Sequence, residues 1–439
     1  MSDGLSESVI DRLSQLQQLK VISRNSSFKY RGNNLDLQAV ANGLDVQAIV
    51  VGRVAISGDN LIIRAELVDA LENRQLWSES YNRRATDLQA IQGEIAQIVT
   101  RKLRLRLTGE QETQLAKREG VNSQAYESML KGRFHFYKGG HSIESLNRAI
   151  KNFQEAIDLE PDYALAYAEL SSIYRTLGAN GYLDPKEMTP KAESAALKAV
   201  ELDDKLAEAH VALANVRRNS WQWDEAQEQY QRAIDLNPNL LMAHSGYAQL
   251  LSFTGRHEQA IAEAKRAREL DPLVPQVNSN LAQMLYFARR YEEAVEAAKR
   301  AIELDQKNQS FAYYTLGDVF YVKGMYREAI AAHLQGCEIP GYTVNDEIYL
   351  GAIHAKAGNL VKARASLEKL LRTKQYISPA ELAILYAALG KPEQAFVLLE
   401  KAFAEHDLQL IYLGVDPYYD SLRSDPRFVD LLRRVGLPQ

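Results

Sequence analysis

The amino-acid sequence predicts two architectures in one chain: an α/β domain over residues 1–108, lacking its first strand, and an all-α superhelical solenoid of about eight helix pairs over 122–403. A linker at 109–121 joins them, and a capping segment at 404–439 follows. Three observations carry this division. Runs rich in Val and Ile, set between amphipathic helix stripes, fill the chain before residue 109. After residue 120 a pattern recurs at intervals of 34 residues, as in stacked repeats. The last stretch, LGVDPYYDSLRSDPRFVDLLRRVGLP, abandons that pattern, as a segment covering a final apolar face would.

The first domain opens on a helix. Leu5, Val9, Leu13 and Leu16 recur at steps of three to four, one apolar stripe, and Ser2 or Asp3 is placed to cap the free amides. LKVIS then reads as a strand, and DLQAVANGLD as a short helix with Leu37, Val40 and Leu44 inward. Between residues 45 and 83 lie three extended runs separated by SGDN and LENR, both hairpin-type turns. Leu88, Ile91, Ile95 and Ile98 mark a longer helix behind a cap at Thr86 or Asp87. The order α, β, α, β, β, β, α starts on a helix with no strand to return from. A missing strand leaves unpaired sheet edges, which a partner's strand or a second copy could fill.

In the solenoid, DEAQEQYQRAIDLNPN, EQAIAEAKRARELDPL and EEAVEAAKRAIELDQK align so that Ala226, Ala260 and Ala294 share one register and Ala233, Ala267 and Ala301 another. Pro238 and Pro272 each close a helix, because proline cannot continue one. The small residue continues at Ala329, Ala363 and Ala395, and backwards at Ala192 and Ala149. In the first helix of each pair a large residue precedes a small one: Leu213 with Ala214, Tyr247 with Ala248, Leu281 with Ala282, Leu316 with Gly317, Leu350 with Gly351. The small member admits a neighbouring helix and the large one fills the remaining space. The step from Ala149 to Ala192 is 43, and GANGYLDPKEMTP supplies the excess, an insertion of the kind that emerges on one face.

A net charge of -5 excludes a general nucleic-acid surface, which needs a concentrated excess of Lys and Arg. The single cysteine, Cys337, excludes an intrachain disulfide. With no long apolar run and no leader pattern, the chain is expected in the cytoplasm, without membrane insertion.

Motifs of catalysis are missing: no GxxxxGK[ST], HRD, DFG, GxSxG or HExxH occurs, so the chain is expected to be no enzyme and to need no cofactor. The strongest alternative is a metal set of His333 and Cys337, four apart on one helix, with His354 on the next. His333 falls at an inward position that Tyr230 and Ala264 fill elsewhere, which favours packing over ligation.

The large-small pairs, mid-repeat alanines and closing prolines resemble a tetratricopeptide repeat array. The segments SDGLSESVIDRLSQLQQLKVISRNSSFKYRG, AIVVGRVAISGDNLIIRAELVDA and RQLWSESYNR resemble the TolB-like amino-terminal domain that precedes such repeats in bacterial signalling proteins. The resemblance implies a strand before SDGLSE, and an upstream serine/threonine kinase, nucleotide cyclase or winged-helix regulator.

Stacked pairs make a groove lined by their first helices. Counting outward from the large-small pairs, Asn215, Gln249, Phe253, Gln283, Tyr286, Phe287, Asp318 and Tyr321 are the candidates facing it, aromatics and amides suited to a protein or peptide partner. Alanine at Tyr286 and Phe287 is then expected to abolish partner capture with helix content intact. Repeats that grip chaperone carboxylates place Lys four residues before Asn, whereas Val211 precedes Asn215, so that specificity is not expected. Two functions follow: a non-catalytic scaffolding or sensory module of a signalling system, and the regulatory part of a larger enzyme or transcription regulator.

Overall fold

The computed structural model describes residues 2–32, 35–57, 60–84, 88–105, 107, 122–138, 142–179, 182–307, 309–339, 346–373 and 375–438. The expected linker, the caps Thr86 and Asp87, and the tip of the SGDN turn lie outside the described residues.

Helix α1 (Ser2–Ser14) is followed by the single turn α2 (Arg24–Ser27), α3 (Leu37–Leu44), the strands β1 (Ala48–Ser57), β2 (Asn60–Asp69) and β3 (Arg74–Arg84), and α4 (Leu88–Lys102). The strands form an antiparallel sheet in the order β1-β2-β3. Period-two alternation on β2 sends Leu61, Ile63, Ala65 and Leu67 to one face and leaves Ile62 outward. That face is covered by Leu5, Val9 and Leu13 of α1 and by Ile91, Ile95 and Val99 of α4. At the β2–β3 turn Asp69 Oδ1 accepts from the Leu71 and Glu72 amides, and Asn73 takes the left-handed conformation that Asn tolerates.

LKVIS, expected as a strand, is instead extended chain outside the sheet. The Val21 and Ser23 amides and the Leu19 carbonyl bond to Asn239 and Leu270 of the solenoid, which the local apolar pattern could not foretell.

The described helices between residues 122 and 405 form eight antiparallel pairs: α5 (Ser123–Lys138) with α6 (Ile143–Leu159), α7 (Ala164–Ala179) with α8 (Pro185–Leu202), and α9 (Ala207–Asn219) with α10 (Trp223–Leu236). Next come α11 (Leu241–Phe253) with α12 (His257–Leu270), and α13 (Pro275–Phe287) with α14 (Tyr291–Leu304). The last three are α15 (Ser310–Val322) with α16 (Tyr326–Cys337), α17 (Asp346–Lys356) with α18 (Leu360–Arg372), and α19 (Pro379–Ala388) with α20 (Pro392–Ala404). Close approach depends on the small residues: a β-carbon at Gly246 of α11 would strike the Tyr230 ring of α10 in the preceding pair, and one at Gly317 the His333 ring within its own pair. His210 and His244, one repeat apart, tie each first helix to its partner helix, through Gln229 at 2.7 Å and Glu263 at 2.6 Å.

Two inter-repeat loops seat the N-terminal part. Asn239 Nδ2 donates to the carbonyls of Ser14 at 2.8 Å and Leu19 at 2.9 Å, and Asn237 Nδ2 donates to Ser14 Oγ at 2.9 Å. One repeat later, the hydroxyls of Ser23 and Ser26 donate to Asp271, and the Ser23 amide donates to the Leu270 carbonyl at 2.9 Å. Asn237, Asn239 and Asp271 are all buried, so each of these bonds is shielded from water. Nearby, Glu7 of α1 pairs with Arg24 and with Arg133 of α5, and Arg133 also reaches Glu169 of α7 at 2.8 Å.

Candidate functional site

The first helices of the pairs line the inner face, and the chain's own C-terminal segment lies along it. This segment has two short 3-10 turns, η1 (Leu408–Tyr412) and η2 (Pro417–Tyr419), then α21 (Pro426–Val435). Asp407 and Asp416 start the turns by accepting from the amides of Gln409 and Tyr418, and Asp425 accepts from Arg427 at the start of α21.

Three tyrosines anchor the segment. Tyr412 sits edge-on to Phe253 at 4.9 Å between ring centres and lies 5.8 Å from Phe287. Tyr418 stacks on Tyr321 at 4.3 Å, donates its hydroxyl to Asp318 at 2.9 Å, and meets Tyr349 edge-on. Tyr419 donates to the Ala380 carbonyl at 2.9 Å. Arg289 holds Asp420 with both terminal nitrogens. Contacts therefore run along the first helices of pairs four to eight. At the end of the solenoid α21 packs on α20, with Arg427 over Phe396 and Arg434 over Phe403.

The buried ground under this segment is rich in carboxyls. Burial, then the Asp407 charge, push Glu381 up to about 8. Its Oε1 accepts from Tyr349 at 3.2 Å and its Oε2 has no partner. Burial likewise raises Asp416 to about 7.

Each expected groove residue has a definite place. Phe253, Tyr286 and Phe287 are 1%, 2% and 4% exposed, enclosed with Ile411 and Val415 in one core cluster. The expectation that alanine at Tyr286 and Phe287 would spare the fold is therefore corrected: both side chains are core. Asp318 and Tyr321 are engaged by Tyr418. Asn215 accepts from Tyr230 at 2.9 Å, inside its own pair, and Gln249 accepts from Arg218 at 2.7 Å. Gln283 is half-buried.

The metal alternative is not assembled. His333 Nε2 is bonded to Asp318 at 3.0 Å, and its ring stacks on Tyr314. No group of three His, Cys, Asp or Glu side chains that could hold a metal ion occurs among the described residues, so His333, Cys337 and His354 form no joint site. Burial raises the Cys337 thiol to about 11, far from a thiolate ligand at neutral pH.

The reading of the sequence missed Tyr412 and Tyr418, because they lie in the segment that breaks the repeat and has no register to count from. It also passed over Arg175 and Arg218. These stand 43 apart, the same step as Ala149 to Ala192, so they occupy equivalent positions once the insertion is allowed for.

Residues 207–240, 247–311 and 279–336 match the tetratricopeptide repeat family. Over these residues the repeats are of the tetratricopeptide type. A Rhizobium meliloti (strain 1021) protein provisionally named adenylate cyclase 3 is 30% identical over 215 residues, 48% of this chain and 36% of that protein. This chain thus matches about a third of that relative's length. Among solved structures, the APC/C hetero-tetramer Cut9-Hcn1 gives a TM-score of 0.50 at 16% identity, covering 80% of this chain and 63% of that chain. The pilF protein of Pseudomonas aeruginosa gives 0.36 at 23%, covering 47% and 92%. Cut9-Hcn1 supports the fold of stacked helix pairs. No described helix is long and apolar enough to cross a membrane.

Proposed function

We propose that this chain is a non-catalytic protein-interaction module whose inner face grips extended polypeptide. One observation carries the reading. The first helices of pairs four to eight already hold a stretch of irregular chain by aromatic stacking and by hydrogen bonds from its tyrosines, the means by which a groove takes a peptide. A partner with a similar tyrosine-bearing segment competes with residues 404–438 for this face.

The test uses the full chain carrying Tyr412→Ala and Tyr418→Ala, with a fluorescein-labelled peptide of residues 404–425. Saturable binding to the variant, none to the unsubstituted chain at the same concentrations, and loss on adding Asp318→Ala are expected. A variant with unchanged circular dichroism that binds no peptide contradicts the proposal.

A second reading has its own support. The match to part of the Rhizobium meliloti protein favours a regulatory role beside a nucleotide cyclase in a signalling system. In that case the N-terminal sheet and the solenoid act on a catalytic domain they do not themselves contain. The strand-donation idea belongs here too: β1 is one of the two edge strands of the described sheet, and Val50 on it is 38% exposed.

A further inference from the structure

One register of the first helices carries a row of polar groups without partners. Stepping along equivalent positions, the residues are Arg175, Arg218, Ser252, Tyr286 and Tyr321. Among them, Arg175 Nε, Arg218 Nε, Ser252 Oγ and the Tyr286 hydroxyl are buried without a hydrogen-bond partner. Arg218, Ser252 and Tyr286 are 4%, 0% and 2% exposed. Buried polar atoms are normally satisfied, so four orphans in one register need an explanation.

The two arginines make the strongest part of that row. Several arginines of the solenoid meet acids: half-buried Arg133 has Glu7 and Glu169, half-buried Arg217 has Glu193 and Glu225, and exposed Arg289 has Asp420. Among the described residues Arg175 and Arg218 have no carboxylate in ion-pair contact. Arg218 reaches only the neutral Gln249 and the face of Phe253. Burial, then the nearby Arg218 charge, bring Arg175 down to about 10, so the two guanidiniums stand close enough to repel each other. Burying two like charges without a counter-charge is costly, and a guanidinium fork fits a carboxylate or phosphate with two parallel bonds. A cleft of about 530 Å³ begins near the end of α7, at Gly178, and is lined across by His406. His406 stacks on Trp221, three residues beyond Arg218, and Gly178 stands three residues beyond Arg175, although neither arginine lines the cleft itself.

We infer that the inner face of pairs two to four is a binding site for a compact oxyanion, a phosphate or carboxylate group, held between Arg175 and Arg218 with Ser252 as a further donor. The inference rests on the two arginines of pairs two and three, and its site meets the polypeptide groove at pair four, where Ser252 stands beside Phe253 under Tyr412.

The test is thermal melting and titration calorimetry of the full chain with inorganic phosphate, with succinate, and with an acidic peptide bearing a free C-terminus, each against chloride at matched ionic strength. A saturable rise in Tm of about 2 °C or more with at least one of these is expected. A response to phosphate or succinate identifies a free small anion, and a response to the peptide alone identifies a partner's carboxylate. Arg175→Met should abolish the response without lowering the melting temperature in chloride, because it removes an unpaired buried charge, while Arg217→Met leaves the response in place. Arg175→Lys, which keeps the charge and loses the fork, should weaken it about tenfold or more. No saturable response to any of the three, or an equal response in Arg175→Met, overturns the inference. Should Arg175→Met fail to fold, calorimetry on the unsubstituted chain and on Arg175→Lys still decides it.

Discussion

Glu381 shows how much the buried side chains under the C-terminal segment shape the behaviour of the whole. Its carboxyl is raised from 4.5 to about 8, so the folded chain keeps a proton that the unfolded chain has released. The stability that depends on this proton is complete below about 4.5 and is lost as the pH rises toward 8. Glu381→Gln is therefore expected to melt above the unsubstituted chain at pH 8 by at least about 1.4 kcal/mol, the worth of one pKa unit. The gap should close toward pH 5, and a gap independent of pH in a series of thermal melts would refute the assignment. A similar contrast holds for the two core aromatics. Tyr286→Ala or Phe287→Ala is expected to cost about 3–5 kcal/mol in urea unfolding, since each removes a ring from a closed cluster. Loss of less than about 1 kcal/mol would put those rings at a free surface instead. At this scale the sequence was a good guide where a residue's place depends on its own helix. Ala226, Ala260 and Ala294 are all fully buried because their register sets them between paired helices. It was a poor guide to Phe253, Tyr286 and Phe287, whose surroundings come from residues more than a hundred positions away.

Among the elements, the stripe Leu5, Val9, Leu13 and Leu16 and the hairpin runs were legible because helix and strand periods are local properties. LKVIS was not, because an apolar run of five residues fits equally a sheet edge or a docked extended chain. The bonds that decide the matter come from Asn239 and Leu270, over two hundred residues later. The seat they make is testable. Asn239→Ala leaves the Ser14 and Leu19 carbonyls without their donors, with an expected loss of about 1–3 kcal/mol from the docking of residues 14–29. Limited proteolysis should then cut between residues 14 and 36 sooner than in the unsubstituted chain, with the helices beyond residue 122 still resistant. Equal cleavage rates would mean that the loops only touch this segment.

At the scale of the whole molecule, the solenoid coils until its third and eighth pairs meet. Trp221 stacks on Phe403 and His406, and Trp223 donates to the Val435 carbonyl at 2.9 Å. The inner face is thus enclosed, with residues 404–438 running along pairs four to eight, while α1 meets pair one through Glu7 and Arg133 and the loop after pair three through Ser14. The interaction function proposed here depends on that segment being a docked occupant of the face, held by a few side chains. Amide hydrogen exchange followed by mass spectrometry tests this most directly, on the full chain and on the variant with Tyr412→Ala and Tyr418→Ala. Residues 408–422 should be protected in the unsubstituted chain as well as α13 and α15 are, and should exchange far faster in the variant while α10, α12 and α14 keep their protection. Fast exchange of 408–422 in the unsubstituted chain, or collapse of protection throughout the solenoid in the variant, would contradict the account: the first would leave the segment undocked, and the second would make it an inseparable part of the core.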